Sequence, residues 1–398
     1  MRITTNVKTL RDRLAIVGRV AVKKPPVPIL AGVLLVWDEN AAASASLRYA
    51  ECTSLDMTVR CGQVGTGIST VVDHELMSKT IAALPASVQE IEVEISAPPY
   101  RAVEAGSLMT ISAGRVTASL PMMDAAEWPE ARRAPDGMTP VPAAFLSRAL
   151  AATLLSAATD TGRPALAGVH VVVDDDDVTL ESSDGYRAHR ASLTQTGDDV
   201  VGHRLDVIVP RAACVVLATL PIEQIGVMDG VLCAVGGDVT MWTRTIHGTF
   251  PQLERVLQPS RESPNRCRIT GDALATLQSA VRLGQLYSAP KGASTTPCAR
   301  FVLVAQALGL TLDELLITAQ HEGRQVSVPI AVQDGAGSGE ALLNLAYVAD
   351  ALKACGGDVV LTMGTATMPP YLSAIMWDAD AQPRASACIE AVIMPMTR

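Results

Sequence analysis

Pro28-Ile-Leu-Ala-Gly-Val33 and Pro164-Ala-Leu-Ala-Gly-Val169 share the pattern P-x-L-A-G-V, and each opens a strand that follows an amphipathic helix. A second echo joins Ala118-Ser-Leu-Pro-Met122 to Val392-Ile-Met-Pro-Met396, with Thr249-Phe-Pro251 between them. Each lies near the end of a similar train of helices and strands. The 398 residues therefore read as one unit of about 130 residues built three times, and such repeats decide an architecture before any motif is trusted.

The first copy opens with Asn6, a helix-capping residue type. Val7, Leu10, Leu14 and Val17 recur at helical spacing, with Lys8, Arg11 and Arg19 on the other side. Gly18 weakens the last turn, and Lys23-Lys24-Pro25-Pro26 ends the helix, because proline lacks a backbone donor and restricts the residue before it. Residues 28–36 read as a buried strand entry, and further strands are expected near 46–50, 56–61 and 67–71. A second helix is expected from about Asp73 to Leu84, stopping at Pro85, then strands at 90–96, 108–112 and 115–120. Residues 125–140, with Trp128-Pro129 and Pro135-Asp136-Gly137, read as a linker.

The second copy repeats the order. Pro142 sits in the first turn of a helix with Leu146, Ala149, Leu150 and Thr153 on one face and Arg148 away from it. Strands are expected at 169–173, 178–182, 206–209 and 239–246. A helix beginning at Pro210-Arg211 carries Ala213, Val216, Leu217 and Leu220 on its apolar side. Residues 258–265 read as a second linker. In the third copy, Asp272 is placed as the cap of a helix with Leu274, Leu277, Gln278 and Val281. Strands are expected at 301–304, 314–318, 359–363, 371–377 and 388–393. Residues 333–339 read as a polar turn before a helix with Leu345, Val348 and Leu352 on one side. Two helices and many short strands per copy predict an α+β fold with helices on one face of antiparallel sheets.

Hydrophobic residues make up 48% of the chain and aromatics only 3%, so aliphatic side chains must fill the cores. The net charge of -9 argues against coating nucleic acid by bulk positive charge, but leaves room for a local basic surface. The eight cysteines form no C-x-x-C pair and sit among apolar residues, which predicts reduced, mostly buried thiols in a cytosolic protein. Met1-Arg-Ile-Thr-Thr5 leads into an amphipathic pattern rather than a secretory leader, and no run of apolar residues is long enough to span a bilayer.

Signatures of chemistry are sparse. Asp174-Asp-Asp-Asp177 reads as a solvated hairpin turn, with a metal site as the alternative. His74-Glu75 lacks the second histidine of a zinc motif, and no phosphate-binding or dinucleotide-binding glycine loop occurs. Asp184 beside Tyr186 would be the remaining candidate for acid chemistry. Lys8, Arg11, Arg19, Arg148 and Arg211 lie off the apolar faces of their helices, with Arg282 and Lys353 at the margins of theirs. They are either an ordinary wet face or a positive field for a phosphate backbone.

The chain resembles the bacterial beta sliding clamp, the processivity subunit of DNA polymerase III, from its first helix to its last residue. The resemblance rests on Pro28-Ile-Leu-Ala-Gly-Val-Leu-Leu35, Ser183-Asp-Gly-Tyr-Arg187, Val207-Ile-Val-Pro-Arg211, Gly248-Thr-Phe-Pro-Gln-Leu-Glu-Arg-Val-Leu-Gln-Pro259, Leu343-Asn-Leu-Ala-Tyr-Val-Ala-Asp350 and Val392-Ile-Met-Pro-Met396. It implies three clamp-type domains, at 1–128, 138–258 and 266–398, and a head-to-tail homodimer forming a ring around duplex DNA. It further implies a cytoplasmic, nucleoid-associated processivity factor with no catalysis, metal or cofactor of its own. Lys23 or Lys24 would meet DNA at the ring's face, joining Lys8, Arg11, Arg19, Arg148, Arg211, Arg282 and Lys353 as DNA-facing candidates. A pocket for short linear peptides would be lined by Leu166, Ser183, Gly185, Tyr186, Arg187, Pro251, Val256, Val392, Met394, Pro395 and Met396. Its partners would be polymerase subunits, the clamp loader, ligase and repair factors. For Val392–Met396 the alternative is a terminal strand buried in its own domain, and for Arg187 a hairpin salt bridge with Asp184.

The chain departs from the family in places. Tyr186 stands where a histidine or another aromatic is frequent, and Ala188 where leucine is usual, which would widen the groove. Ser54 replaces a usual aspartate, and the chain ends Met396-Thr397-Arg398. A diverged clamp paralogue with a protective, inhibitor-evading or regulatory role is the alternative.

Overall fold

Asn6 starts the first helix: its side chain accepts a hydrogen bond from the Thr9 amide at 3.1 Å, satisfying one of the donors that a helix start leaves unpaired. Helix α1 (Val7–Val17) then buries Val7, Leu10, Leu14 and Val17, the four residues that the spacing predicts. Asp73 caps α2 (His74–Ala82) through the Leu76 amide at 2.7 Å, and α2 buries Met77 and Ile81. The other helices are α3 (Ala143–Thr153), α4 (Arg211–Leu217), α5 (Glu254–Arg261), α6 (Gly271–Ser288) and α7 (Leu345–Cys355). Asn344 caps α7, which ends at Gly356 in the left-handed conformation.

The computed structural model describes residues 2–38, 47–63, 67–95, 107–130, 132–160, 162–174, 177–195, 203–288, 296–304, 313–364, 371–376 and 385–396. The chain divides into two compact units, Met1–Ala143 with Thr219–Arg244, and Ala144–Ala218 with Thr245–Arg398.

Strands are numbered along the chain, and every pairing among the described residues is antiparallel. The first unit holds a 12-stranded sheet. Its order is β1 (Arg2–Asn6), β6 (Glu90–Ile95), β7 (Leu108–Ala113), β8 (Val116–Met123), β5 (Ile68–Asp73), β2 (Gly32–Trp37), β3 (Leu47–Thr53), β4 (Met57–Gly62), β16 (Val239–Arg244), β15 (Val231–Gly236), β14 (Gln224–Met228) and β9 (Thr139–Pro140). The second unit holds a 9-stranded sheet in the order β13 (Leu205–Pro210), β10 (Gly168–Asp174), β11 (Asp177–Ser183), β12 (Arg187–Gln195), β25 (Ala385–Ile393), β24 (Tyr371–Met376), β23 (Val359–Thr362), β17 (Arg266–Ile269) and β21 (Gln333–Ala336). It also holds a 4-stranded sheet, β20 (Arg324–Ala331), β19 (Glu314–His321), β18 (Cys298–Val304) and β22 (Ser338–Asn344). Strands from different repeats join directly: β4 pairs with β16, and β12 with β25 over nine registered residue pairs from Arg187↔Ile393 to Gln195↔Ala385.

Several expectations are corrected. Residues 258–265 are not wholly a linker, because α5 runs through Pro259 to Arg261. Asp272 lies inside the first turn of α6 rather than capping it. Residues 28–36 divide into a 3-10 turn, Pro28–Ala31, and then β2. The polar turn at 333–339 is two strands, β21 and the start of β22, joined through Gly337 at φ 68°. Backbone pairing is indifferent to the polarity of side chains that face water, so a polar string reads as a turn until its partners are known. The strand expected at 239–246 stops at Arg244. Strands β12, β14, β15 and β20 are additional to the expected ones. Of the expected strand ends, residues 46, 96 and 377 lie outside the described residues.

Candidate functional site

The P-x-L-A-G-V motif of the second repeat forms a 3-10 turn, Pro164–Leu166, whose Leu166 amide donates to the Arg163 carbonyl at 2.9 Å. This turn drops Leu166 into an apolar cluster with Ala158, Ala188, Ile208, Phe250, Leu253, Leu257 and Val392, against which Ala165, Ile246 and Val256 also pack. Ala188 and Val392 meet there because they are register partners on β12 and β25. The cluster thus draws on the end of the central repeat, the segment after β16 and the last strand of the chain.

The turn between β11 and β12 forms one rim. Asp184 Oδ1 accepts from the Tyr186 and Arg187 amides at 2.9 and 3.1 Å, an Asx turn. Ser183 Oγ accepts from the Gly185 amide at 3.0 Å and donates to the Arg187 carbonyl at 2.8 Å. Gly185 sits at φ 90°, a conformation that favours glycine. The result presents the Tyr186 ring to solvent at 63% exposure, while its carbonyl accepts from the Met394 amide at 2.9 Å. Met394 is itself 44% exposed, and Met396 is anchored by its amide to the Leu342 carbonyl at 2.8 Å. The result is a buried apolar cluster bordered by the partly exposed Tyr186 ring and Met394 thioether.

Of the sequence-assigned pocket residues, Leu166, Val256 and Val392 share the cluster. Ser183, Gly185, Tyr186 and Arg187 form the turn, and Met394, Pro395 and Met396 continue from β25 beside it. Pro251 is exposed directly after the buried Phe250. Val392 is buried in β25, as the alternative expected, and packs in the apolar cluster. Arg187 is tied down. Its guanidinium donates to Asp184 Oδ2 at 3.0 Å and to Asp350, and lies over the Tyr347 ring at 4.3 Å. Its role is to lock the turn to α7, and the salt bridge with Asp184 expected as an alternative is present. Asp184 is spent on the same turn, which removes the acid-chemistry reading of the Asp184/Tyr186 pair.

Sequence reasoning missed Phe250, Leu253, Leu257 and Ile208 in the cluster. It also missed Arg163, whose Nη2 donates to the Asp184 carbonyl at 2.7 Å. The available signal was Phe250 itself, one of three phenylalanines in the chain, inside the Thr249-Phe-Pro251 echo.

Beside this cluster runs a chain of ionised groups. His170 stacks on Phe250 with ring centroids 4.8 Å apart, and its ring nitrogens lie 3.2 Å from Glu181 and 2.8 Å from Asp206. Arg190 Nε donates to Glu181 at 2.6 Å, and Arg190 also pairs with Glu254. Arg261 then joins Glu254 at 2.7 Å to Glu390 at 2.6 Å. Burial pulls the His170 pKa down, but hydrogen bonds and charge from Glu181 and Asp206 outweigh it and raise it. Burial alone would raise Glu181, yet His170 and Arg190 hold its carboxyl below the usual range.

The matching motif in the first unit ends differently. Ile29, Leu30, Leu34, Val36, Tyr49 and Val71 form a cluster there, against which Trp128 packs. The Trp128 indole donates to Glu51 at 2.9 Å. Glu51 is paired with buried Arg60, whose guanidinium lies 5.0 Å from the Tyr49 ring centre and 4.9 Å from that of Trp242. A tryptophan from the chain's own linker thus packs against the cluster of the first unit.

The cationic candidates divide by environment. Lys8, Arg11, Arg19, Lys23, Lys24, Arg148, Arg282 and Lys353 are exposed, and Arg211 is half-buried. Lys8 pairs with Asp12 one helical turn on, at 2.8 Å. Arg211 donates to the Leu154 and Ala157 carbonyls and so fastens α4 to the segment after α3. Arg148 donates to the Cys355 carbonyl at 3.1 Å, capping the C-terminal end of α7 where positive charge is favoured. Asp174 and Asp177 are opposed in the β10–β11 hairpin, and Asp174 pairs with Arg204 at 2.7 Å. Asp175 and Asp176 lie outside the described residues. Among the described residues no group of three or more His, Cys, Asp or Glu is gathered for a metal ion, and no helix is long and apolar enough to cross a membrane. All eight cysteines are free thiols, and burial pushes Cys214, Cys233, Cys267 and Cys355 up to about 12.

A family profile described as the central domain of the DNA polymerase III beta subunit matches residues 140–252. The beta sliding clamp of Streptomyces coelicolor is 28% identical over 187 residues, 47% of this chain and 46% of that protein. That of Micrococcus luteus is 23% identical over 199 residues, 50% of this chain and 60% of that one. The chain therefore spans about half the length of these curated relatives. The Proteus mirabilis clamp is 24% identical over 393 residues, covering 94% and 93% of the two chains. Among solved structures, the DNA polymerase III subunit beta of Pseudomonas aeruginosa superposes with a TM-score of 0.78 at 21% identity, covering 100% of both chains. The Bacillus subtilis DNA polymerase sliding clamp superposes at 0.80 with 16% identity, covering 100% of this chain and 99% of that one, and these likenesses carry the fold. Residues 140–252 are thus similar to the central domain of the DNA polymerase III beta subunit, and the chain as a whole has the fold of the solved beta clamps.

Proposed function

We propose that the chain is a DNA sliding clamp: a head-to-tail homodimer that encircles duplex DNA and tethers a polymerase and other proteins, making and breaking no bond itself. The observation that carries this reading is the β12–β25 pairing. It brings the Tyr186 turn and β25 to one apolar cluster, which supports a peptide-tethering reading. The occupants would be short linear peptides of polymerase subunits, the clamp loader, ligase and repair factors.

Three domains, 1–128, 138–258 and 266–398, would build each protomer. Compact units defined by contact cut across these limits because β4 pairs with β16 and β12 with β25, so the sheets run through the repeat boundaries. Support for a heterologous dimer comes from two exposed apolar sites: Leu283, Leu286 and Tyr287 on α6, and Leu76 on α2 with Leu108 on β7. Different patches meeting head to tail close into a ring when the rotation between copies is a half turn. Lys8, Arg11, Arg19, Lys23, Lys24, Arg148, Arg211, Arg282 and Lys353 are the proposed DNA-facing cations. Contacts to phosphates make such binding independent of sequence and sensitive to salt.

The test is clamp-loader-dependent retention on circular DNA, together with affinity for a peptide of the Gln-x-x-Leu-Phe type. A clamp is retained on closed circles, slides off after linearisation and binds the peptide. Failure of both retention and peptide binding would overturn the reading.

A further inference from the structure

Helices α1 and α2 pack side by side in the first unit and leave a cleft of about 340 Å³ between them. Arg11, Leu14, Ala15, Gly18 and Arg19 line it from α1 and the residues after it, and His74, Ser78 and Ile81 from α2, spaced so that each set shares one helix face. A second cleft of about 250 Å³ shares Gly18, His74 and Ser78 and continues to Lys23 and Lys79. Four cations thus border one trough. The acids beside it are engaged: Asp73 caps α2, Glu75 holds Lys79 at 2.6 Å, and Asp12 holds Lys8.

The two arginines at the first cleft are differently placed. Among the described residues Arg11 reaches the Ile81 carbonyl, at 3.4 Å, and Arg19 the Thr219 carbonyl, at 2.8 Å. Neither is ion-paired among the described residues, and a guanidinium has five donors, so most of their capacity is free. His74 Nε2 lies 3.0 Å from the Leu14 carbonyl and 3.3 Å from Ser78 Oγ. A carbonyl only accepts, so this nitrogen carries the proton, and the Ser78 hydroxyl proton is left to turn into the cleft. Gly18 makes the arrangement possible. A Cβ there would lie 2.5 Å from the His74 ring and 2.8 Å from the Leu14 carbonyl, so any larger residue would displace the imidazole.

We infer that this cleft is a seat for one phosphodiester of a nucleic-acid strand. Arg11 and Arg19 bind the phosphate oxygens in charge-assisted hydrogen bonds, Ser78 donates a further bond, and the Leu14, Ala15 and Ile81 floor takes the sugar edge. The inference rests on the clamp reading for its ligand and deepens it, because it replaces a diffuse positive face with one located contact. Lys23 and Lys79 would receive the neighbouring phosphate.

The test follows the His74 ring resonance, assigned with His74→Gln, while the full-length protein is titrated with a short blunt-ended DNA duplex, inorganic phosphate or deoxyadenosine monophosphate. The duplex is expected to shift the resonance, and Arg11→Gln/Arg19→Gln to abolish the shift. In that variant duplex affinity should fall about fivefold and the log–log salt slope by about 0.9, the contribution of one phosphate. Ser78→Ala should give a smaller loss in the same direction, and Arg324→Gln on β20 none. A duplex that binds without moving His74, or a salt slope unchanged in the double variant, overturns the inference. So does saturation by inorganic phosphate or the mononucleotide where the duplex has no effect, since the cleft is then a free-anion site. Retention on circular DNA is scored separately: normal retention with a silent His74 removes the seat and leaves the clamp, whereas a shifted His74 without retention does the reverse.

Discussion

His189 is buried, one residue beyond Ala188. Its Nδ1–H donates to the Ala152 carbonyl at 2.8 Å, and its Nε2 is buried with no partner. Burial, together with the Arg187 charge, depresses its pKa to about 4 from the ordinary 6.5, despite the Ala152 bond and the nearby carboxylates of Asp350 and Asp184. The folded state therefore excludes the proton that the unfolded chain accepts. The contribution is full above about pH 6.5 and is lost as the pH falls toward 4, amounting to about 3 kcal/mol at full loss. His170 opposes it: a raised folded pKa stabilises below the unfolded value and fades as pH rises through the folded one. Urea midpoints should thus decline between pH 6.5 and 5, and His189→Asn, whose Nδ2–H replaces the Nδ1 donor to Ala152, should flatten that decline. An unchanged profile would show that His189 is not the acid-sensitive group. Gly185 is the second residue to test, because a side chain at φ 90° is strained and its Cβ would lie 2.4 Å from Arg163 Nη1. Gly185→Ala should cost about 1 kcal/mol in a denaturant titration and weaken peptide binding, since the Tyr186 rim is built on that turn. Neither role is visible in the string Ser183-Asp-Gly-Tyr-Arg187-Ala-His-Arg. The motif marks the turn, but β12 is covered on both faces and places Arg190 in an ion-pair chain, so the alternation that announces a strand is absent.

The first helix was legible from sequence, because Asn6 stands directly before Val7, Leu10, Leu14 and Val17 at helical spacing and the physics there is local. Helix α5 was not, because Pro259 reads as a breaker. What sustains α5 is nonlocal. Leu257 and Ser260 are buried, Glu254 and Arg261 suit the charges of the two helix ends, and Arg261 makes a paired contact with Glu390 on β25, at 2.6 and 2.5 Å. Arg261→Leu removes the two hydrogen bonds to the buried Glu390 carboxylate and should destabilise the protein by about 2 kcal/mol, less than a fully buried pair would lose because Arg261 is partly exposed. Leu253, Val256 and Leu257 belong to the apolar cluster, so peptide affinity should fall with it. The double variant Arg261→Leu/Glu390→Leu should recover most of the stability, measured by denaturant titration and by hydrogen exchange at the Leu257 amide. Equal losses in the single and double variants would show that the pair does not hold α5.

At the scale of the whole molecule, the likeness of two strand entries was readable because P-x-L-A-G-V forms a 3-10 turn before both β2 and β10, whereas the surfaces that would join two copies were not. On α6, Leu277, Ala280, Val281, Gly284 and Ser288 face inward, while Leu283, Leu286 and Tyr287 form a second stripe that is 41%, 67% and 38% exposed. Both stripes follow helical spacing, so sequence alone cannot say which one meets the protomer's own sheet. An outward apolar stripe on a helix whose other stripe is already buried marks a protein contact. With Leu76 and Leu108 exposed on the other unit, the expected contact is heterologous, α6 of one copy against α2 and β7 of the next. Leu286→Glu places a charge in that contact without touching the protomer core. Sedimentation equilibrium of the parent protein should give twice 41.7 kDa, and the variant should approach the single-chain mass. Retention on circular DNA should disappear with the dimer, while peptide affinity stays, because none of the candidate pocket residues lies on α6. A variant that remains dimeric and stays on closed circles would locate the contact elsewhere.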